Sequence, residues 1–198
     1  MDPVLGVDRA FWYIFVVSAV LLTAITLVMI YFVIKYRRKN HPTPADIRDN
    51  WKLELAWTVI PTIIALSMFW VGWQSYTGLR NVPAGTVQIE ALGQMFSWIF
   101  IYENDKETEN ELVVPAHSPV QLNIESLDVI HSLFIPAFRV KADAVKNFPT
   151  YVWFRTKEPG EYDILCTEYC GLDHSQMLAR LRVIPREEYL EWLEQEDE

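Results

Sequence analysis

The sequence predicts a two-helix transmembrane hairpin over residues 1–79, followed by an outward-facing all-β domain over residues 80–198. Three observations carry this reading. Residues 11–34 contain no charged side chain, and neither do residues 55–79. From Arg80 onward, apolar and polar residues alternate in short runs separated by turn-forming residues.

A helix needs about 20 mainly apolar residues to cross a bilayer, and both uncharged runs meet that length. Buried helices of soluble proteins rarely run so far without a charge. A cleaved signal peptide has a basic start, a shorter apolar run and a small-residue cleavage site. Here Asp2, Asp8 and Arg9 precede the first run, and Lys35, Arg37, Arg38 and Lys39 close it, an order that favours a retained anchor. The loop from Lys35 to Glu54 also holds Arg48 and Lys52. Basic loops stay on the cytoplasmic side, so both termini are expected outside. Aromatic residues gather at the ends of the runs: Phe11, Trp12 and Tyr13, then Tyr31, Phe32 and Tyr36, then Trp70, Trp73 and Tyr76. Such belts suit rings with one apolar and one hydrogen-bonding end. Pro61 removes a backbone bond and is a candidate kink in the second span. Glu54 stands at the cytoplasmic mouth of that span, where a carboxylate is either simply solvated or part of a proton route.

The outer domain is expected to hold strands over residues 86–92, 120–124, 151–154, 161–165 and 179–184, with a short acidic helix over 185–198. Short strands at such spacing point to a β-sandwich or barrel. The domain carries Arg80, Lys106, Arg139, Lys141, Lys146, Arg155, Lys157, Arg180, Arg182 and Arg186 against roughly twice as many acids. Phosphate binding needs clustered bases, so no nucleic-acid partner is expected. An acidic surface suits a basic partner protein, and equally serves solubility.

The chemistry is concentrated in one run, Cys166-Thr-Glu-Tyr-Cys170-Gly-Leu-Asp-His174-Ser-Gln-Met177, which contains both cysteines of the chain. Upstream, Asp128-Val-Ile-His131 supplies another imidazole, placed at a strand end. Thiolate and thioether select copper, and imidazole suits it; single-copper electron carriers use two His, one Cys and a weak Met, so the second cysteine points to more than one metal ion. Three other readings compete. A disulfide leaves His174 and Met177 without a role. A structural zinc site accepts two Cys and two His at this spacing but leaves Met177 unused. Met177 alone also fits plain core packing. The remaining histidines, His41 and His117, lie in Pro-flanked loops and read as surface residues.

The run Cys166-x-Glu168-x-Cys170-x3-His174-x2-Met177, preceded by His131, resembles the dinuclear copper A segment of cytochrome c oxidase subunit II. The helical hairpin and β domain extend that likeness over nearly the whole chain. The resemblance implies a cupredoxin-like Greek-key barrel. It implies that Cys166 and Cys170 bridge two coppers, that His131 and His174 bind one each, and that Met177 is a weak axial ligand. The Glu168 carbonyl would approach the other copper, and its side chain would face a magnesium ion shared with subunit I. Asp143 matches a position near that interface. Glu54, in Glu54-Leu-Ala-Trp57-Thr, matches a residue linked to proton uptake. The implied activity is electron transfer from cytochrome c to haem in subunit I, where oxygen becomes water. The implied location is a bacterial inner membrane with the copper domain in the periplasm, in preference to the mitochondrial inner membrane. Phe96 stands where the family carries the Trp at which electrons arrive, with Trp98 beside it, and Lys146-Asn147 replaces a common Pro-Gly. This departure opens the donor to an unusual cytochrome or a haem domain of a neighbouring complex. A copper A subunit of a nitric oxide reductase and a membrane-anchored copper chaperone are the alternatives. The chaperone requires a βαβ pattern and a distant His after the cysteines.

Overall fold

The computed structural model describes residues 3–43, 45–46 and 49–195. Two compact units result: residues 6–75 form one, and residues 76–198 with 1–5 form the other.

Helix α1 spans Pro3–Lys35 and helix α2 spans Trp51–Arg80. Both begin ahead of the uncharged runs, because backbone bonding between residues four apart does not stop at the first charge. Lys35 lies in the last turn of α1, where a cation complements the helix dipole. Asn50 starts α2, its Oδ1 accepting from the Leu53 N–H at 3.1 Å. Glu54 sits in that first turn, where the dipole favours a carboxylate. Pro61 lies inside α2 and leaves the Trp57 carbonyl without its usual donor, yet the helix runs on unbroken. Thr58 and Thr62 hydroxyls donate back to the Glu54 and Thr58 carbonyls, at 2.9 and 2.6 Å. Between the two helices, Tyr13 and Ser67 share a hydroxyl–hydroxyl bond of 2.8 Å. Both helices are long and apolar enough to cross a membrane, and none of the α2 side chains is buried. Of the basic loop, Arg48 lies outside the described residues.

The outer unit has ten strands: β1 Val87–Gln94, β2 Ser97–Tyr102, β3 Glu107–Glu109, β4 Glu111–Pro115, β5 Pro119–Ser126, β6 His131–Ile135, β7 Val140–Ala144, β8 Thr150–Arg155, β9 Gly160–Cys166 and β10 Leu178–Ile184. They form two five-stranded sheets, ordered β3-β2-β1-β5-β8 and β4-β10-β9-β6-β7. The pairs β1/β5 and β10/β4 are parallel and the others antiparallel. Strand β5 shows how the core is made: Val120, Leu122 and Ile124 are fully buried while Gln121, Asn123 and Glu125 are half-exposed. The two inner faces share one cluster, in which Leu112, Leu133, Ile164 and Leu181 meet Ile89, Phe100 and Phe154. Each such side chain contributes about 1.5–3 kcal/mol.

Five strands fall outside the expected ranges: β2, β3, β4, β6 and β7, of which β6 is signalled only by the strand end at His131. Strands β2 and β4 are buried or half-buried along their whole length, so they lack the alternation that marks a half-exposed strand. β3 is only three residues long and is separated from β4 by Asn110, which has a φ of 56°. The final helix, α3, spans Arg186–Glu194, shorter than expected; Glu196–Glu198 lie outside the described residues. It docks through buried Tyr189 and through Trp192, edge-on to Tyr102 with ring centroids 5.0 Å apart. Asn104 Nδ2 and Lys106 Nζ donate to the carbonyls of Leu193 and Gln195, at 2.8 and 2.7 Å, satisfying the helix C-terminus.

Candidate metal centre

Three strand ends meet at one end of the second sheet. Leu133 on β6 lies opposite Cys166 on β9, and Leu178 on β10 lies opposite Leu165. The pairing continues past the strands, with Cys166 N–H donating to the Met177 carbonyl (3.2 Å) and Thr167 N–H to the Ser132 carbonyl (2.9 Å). Along β6, His131 shares the inward face with Leu133 and Ile135, since side chains two apart point the same way. Cys166 likewise follows Ile164, and Met177 precedes Ala179 and Leu181. The strand period therefore aims His131, Cys166 and Met177 at the core end. The loop between Thr167 and Gln176 returns over them and brings Cys170 and His174.

The donor atoms converge. Cys166 Sγ lies 3.9 Å from Cys170 Sγ, 4.0 Å from His131 Nδ1 and 3.4 Å from the Glu168 carbonyl oxygen. Cys170 Sγ lies 3.5 Å from His174 Nδ1 and 3.7 Å from Met177 Sδ. One ligand atom from each of His131, Cys166 and Cys170 lies within 4.8 Å of the others. Both thiols are free, and their separation is about twice a disulfide bond length of ~2.05 Å. The disulfide reading is thereby set aside. Burial, reinforced by the neighbouring Cys166, pushes the Cys170 thiol well above its ordinary pKa. Without a cation the Cys170 thiol stays protonated, and metal uptake must release its proton.

Around this set, His131 is completely buried and its Nε2 is 2.8 Å from Asp128 Oδ1. A carboxylate only accepts, so the proton sits on Nε2 and the Nδ1 lone pair faces Cys166. Asp128 also accepts from the Met95 and Val129 N–H groups, at 2.8 and 2.6 Å. Burial alone would raise this carboxyl, but the bonds from His131, Met95 and Val129 outweigh it and hold it below the ordinary carboxylate range. The sequence reading gave Asp128 no role; a carboxylate three residues before a candidate ligand was the available signal. Gly171, with a φ of 142°, carries the Phe96 ring: a methyl there would lie 3.0 Å from two Phe96 ring carbons. Tyr169 stands edge-on to His174 at 5.8 Å.

Of the other expected residues, Phe96 is half-buried at the rim, beside exposed Met95, whereas Trp98 has no exposed surface. Trp98 packs against His131 instead, with ring centroids 6.0 Å apart. A donor therefore reaches Trp98 only through intervening groups. Asp143 accepts the Ser132 hydroxyl at 2.8 Å, on the outward face of β6 and β7, away from the sulfurs. Glu168 contributes its carbonyl to the cluster while its side chain is exposed to solvent. Glu54 belongs to the helical unit. His41 and His117 are exposed, as expected.

The residues fit copper better than zinc. The two imidazoles, the thioether and the carbonyl oxygen each lie within 4.0 Å of one or the other thiol, and a Cys2His2 zinc site would leave the sulfur of fully buried Met177 idle. The outer domain is all-β apart from α3, so the βαβ pattern required of a thiol-redox chaperone is absent among the described residues.

The fold and site define a membrane-anchored, cupredoxin-like domain with a sulfur-rich metal centre. Comparison with known proteins agrees. The family "Cytochrome C oxidase subunit II, periplasmic domain" matches residues 102–184, and "Cytochrome C oxidase subunit II, transmembrane domain" matches residues 4–75. Cytochrome c oxidase subunit 2 of Cereibacter sphaeroides is 26% identical over 222 residues, covering 92% of this chain and 73% of that protein. Its counterpart from Alkalihalophilus pseudofirmus is 33% identical over 187 residues, covering 87% of this chain and 54% of the relative. The crystal structure of the periplasmic domain of subunit II of cytochrome oxidase of Bradyrhizobium japonicum aligns with a TM-score of 0.56 at 30% identity, over 58% of this chain and 95% of that one. The chain belongs to the cytochrome c oxidase subunit II family, and with it to the subunits of an oxidoreductase complex.

Proposed function

We propose that this chain holds a dinuclear copper A centre and carries electrons from a haem donor to haem in subunit I of a terminal oxidase, where oxygen is reduced to water. The convergence of Cys166, Cys170, His131, His174, Met177 and the Glu168 carbonyl carries this reading. When bound, the copper pair supplies one-electron transfer with little rearrangement. The protein's part is to hold the donors still. Cys166 and Met177 are fixed by the strand ladder, and His131 by its bond to Asp128. Met177 and the walls of the core exclude water from the sulfurs. Phe96, lying on Gly171 next to Cys170, is the point at which electrons arrive. Trp98 holds His131 from the core side.

The exposed Glu168 carboxylate is available to a magnesium ion shared with subunit I, with Asp143 facing the same subunit. Glu54, at the start of α2, would feed a proton route. The basic loop between the helices supports an orientation with the copper domain outside a bacterial inner membrane. Phe96 in place of Trp supports a donor other than the usual cytochrome c, such as a haem domain of a neighbouring complex. The test is metal content and electron paramagnetic resonance on the full chain in detergent after copper loading. Two coppers per chain sharing one unpaired electron support the proposal; a single copper, or zinc retained in preference, defeats it.

A further inference from the structure

We infer that Gly93 is a positioning residue for the His131 ligand: its missing side chain is the space in which that imidazole lies. This rests on His131 being a copper ligand. A methyl group on Gly93 would sit 3.0 Å from His131 Cδ2, 3.2 Å from its Cγ and 3.1 Å from Trp98 Cζ3. Carbon atoms normally approach no closer than about 3.5 Å, so a neighbour must give by a few tenths of an ångström.

The surroundings decide which one. Gly93 cannot retreat. It lies in β1, paired with Trp98 of β2 on one side and Ser126 of β5 on the other, and its carbonyl accepts the Leu127 N–H at 2.9 Å. Trp98 is fully buried in the core. On its other side the imidazole has open distance to the sulfurs, 4.0 Å from Nδ1 to Cys166 Sγ. The ring of His131 therefore moves, and its Nδ1 moves with it. Displacements of a few tenths of an ångström matter to metal ligands, whose distances hold within about 0.2 Å. Gly93 does not have a positive φ, so its backbone accepts alanine without strain. The requirement is space and not chain conformation. The three atoms nearest the added methyl belong to His131 and Trp98, and none to His174, which is reached through the Cys170 loop. The two imidazoles should thus respond differently to one substitution.

The experiment compares the full chain in detergent with its Gly93→Ala variant. Gly78→Ala serves as control, since a methyl there meets nothing within 4 Å. Histidine-selective nitrogen labelling follows the four imidazoles of the chain, first without metal and then with copper, alongside circular dichroism. The expected result is a selective shift of the His131 ring resonances in both states, with those of His174 unmoved. The copper hyperfine pattern should change, and the control should leave everything in place. Unshifted His131 resonances with an unaltered copper spectrum would overturn the inference. So would loss of circular dichroism with both histidines displaced, which would make Gly93 a general packing residue. A parent chain that binds no copper would sink the copper reading, while the metal-free histidine shift would still decide the role of Gly93.

Discussion

Replacing Asp128 tests how the protein prepares His131. Asp128→Ala removes the acceptor of His131 Nε2–H, which lies on a side chain with no exposed surface, and the acceptors of the Met95 and Val129 N–H groups. The buried donor left unpaired costs about 1–3 kcal/mol. The two backbone N–H groups lie at an exposed loop where water replaces the carboxylate, and each loses about 0.5–1.5 kcal/mol at most. The sum is a destabilisation of roughly 2–6 kcal/mol, read by chemical denaturation of the metal-free chain in detergent. Asp128→Asn separates stability from ligand preparation. The amide keeps one acceptor oxygen, so its stability cost should be smaller. It can also turn its NH2 toward the imidazole, which moves the ring proton to Nδ1 and blocks the metal-facing lone pair. Losing such support lowers metal affinity by roughly 10–100-fold, measured by copper competition titration. Alanine should thus do more harm to stability than asparagine, while both weaken copper binding. An Asp128→Ala chain with parental stability and parental copper affinity would refute the reasoning.

Other outcomes follow from the same geometry. Cys170→Ser, which removes the sulfur nearest both His174 and Met177, should lower the copper content from two to one or none and abolish the shared-electron signal; a normal spectrum would contradict the assignment. Gly171→Ala forces a side chain into a φ of 142° and against Phe96 at 3.0 Å, and should destabilise the loop by about 1–3 kcal/mol, seen as a lower melting temperature. Leu122→Ala, in the fully buried middle of β5, should cost about 2–5 kcal/mol in denaturant titration with the copper spectrum kept. Burial, helped by Glu103, raises the Tyr189 hydroxyl from 10.0 to about 12. The folded state thus holds that proton more tightly, so its stabilisation is complete below pH 10 and is lost as pH rises toward about 12. A Tyr189→Phe chain should lack that part of the alkaline loss when unfolding midpoints are compared across pH.

Much of this was legible along the chain. The two uncharged runs name their own helices, because lipid demands internal backbone bonding and apolar side chains over a fixed length. The candidate ligands were legible because Cys166, Cys170, His174 and Met177 are crowded into twelve consecutive positions with soft donors. Strands β5 and β8–β10 showed themselves where a buried or apolar run stood out between turns. Strands β2 and β4 did not, since residues on both of their faces are buried or half-buried and neither shows a polar face.

By itself the sequence determined the membrane anchor, the all-β character of the rest and the chemical identity of the donors, all properties of local composition and spacing. Only the tertiary structure decided what holds His131, because Asp128, Gly93 and Trp98 act through contacts that spacing does not encode. It also set Trp98 in the core against His131. Burial is set by which sheet faces which, and that is a relation between strands far apart in the chain.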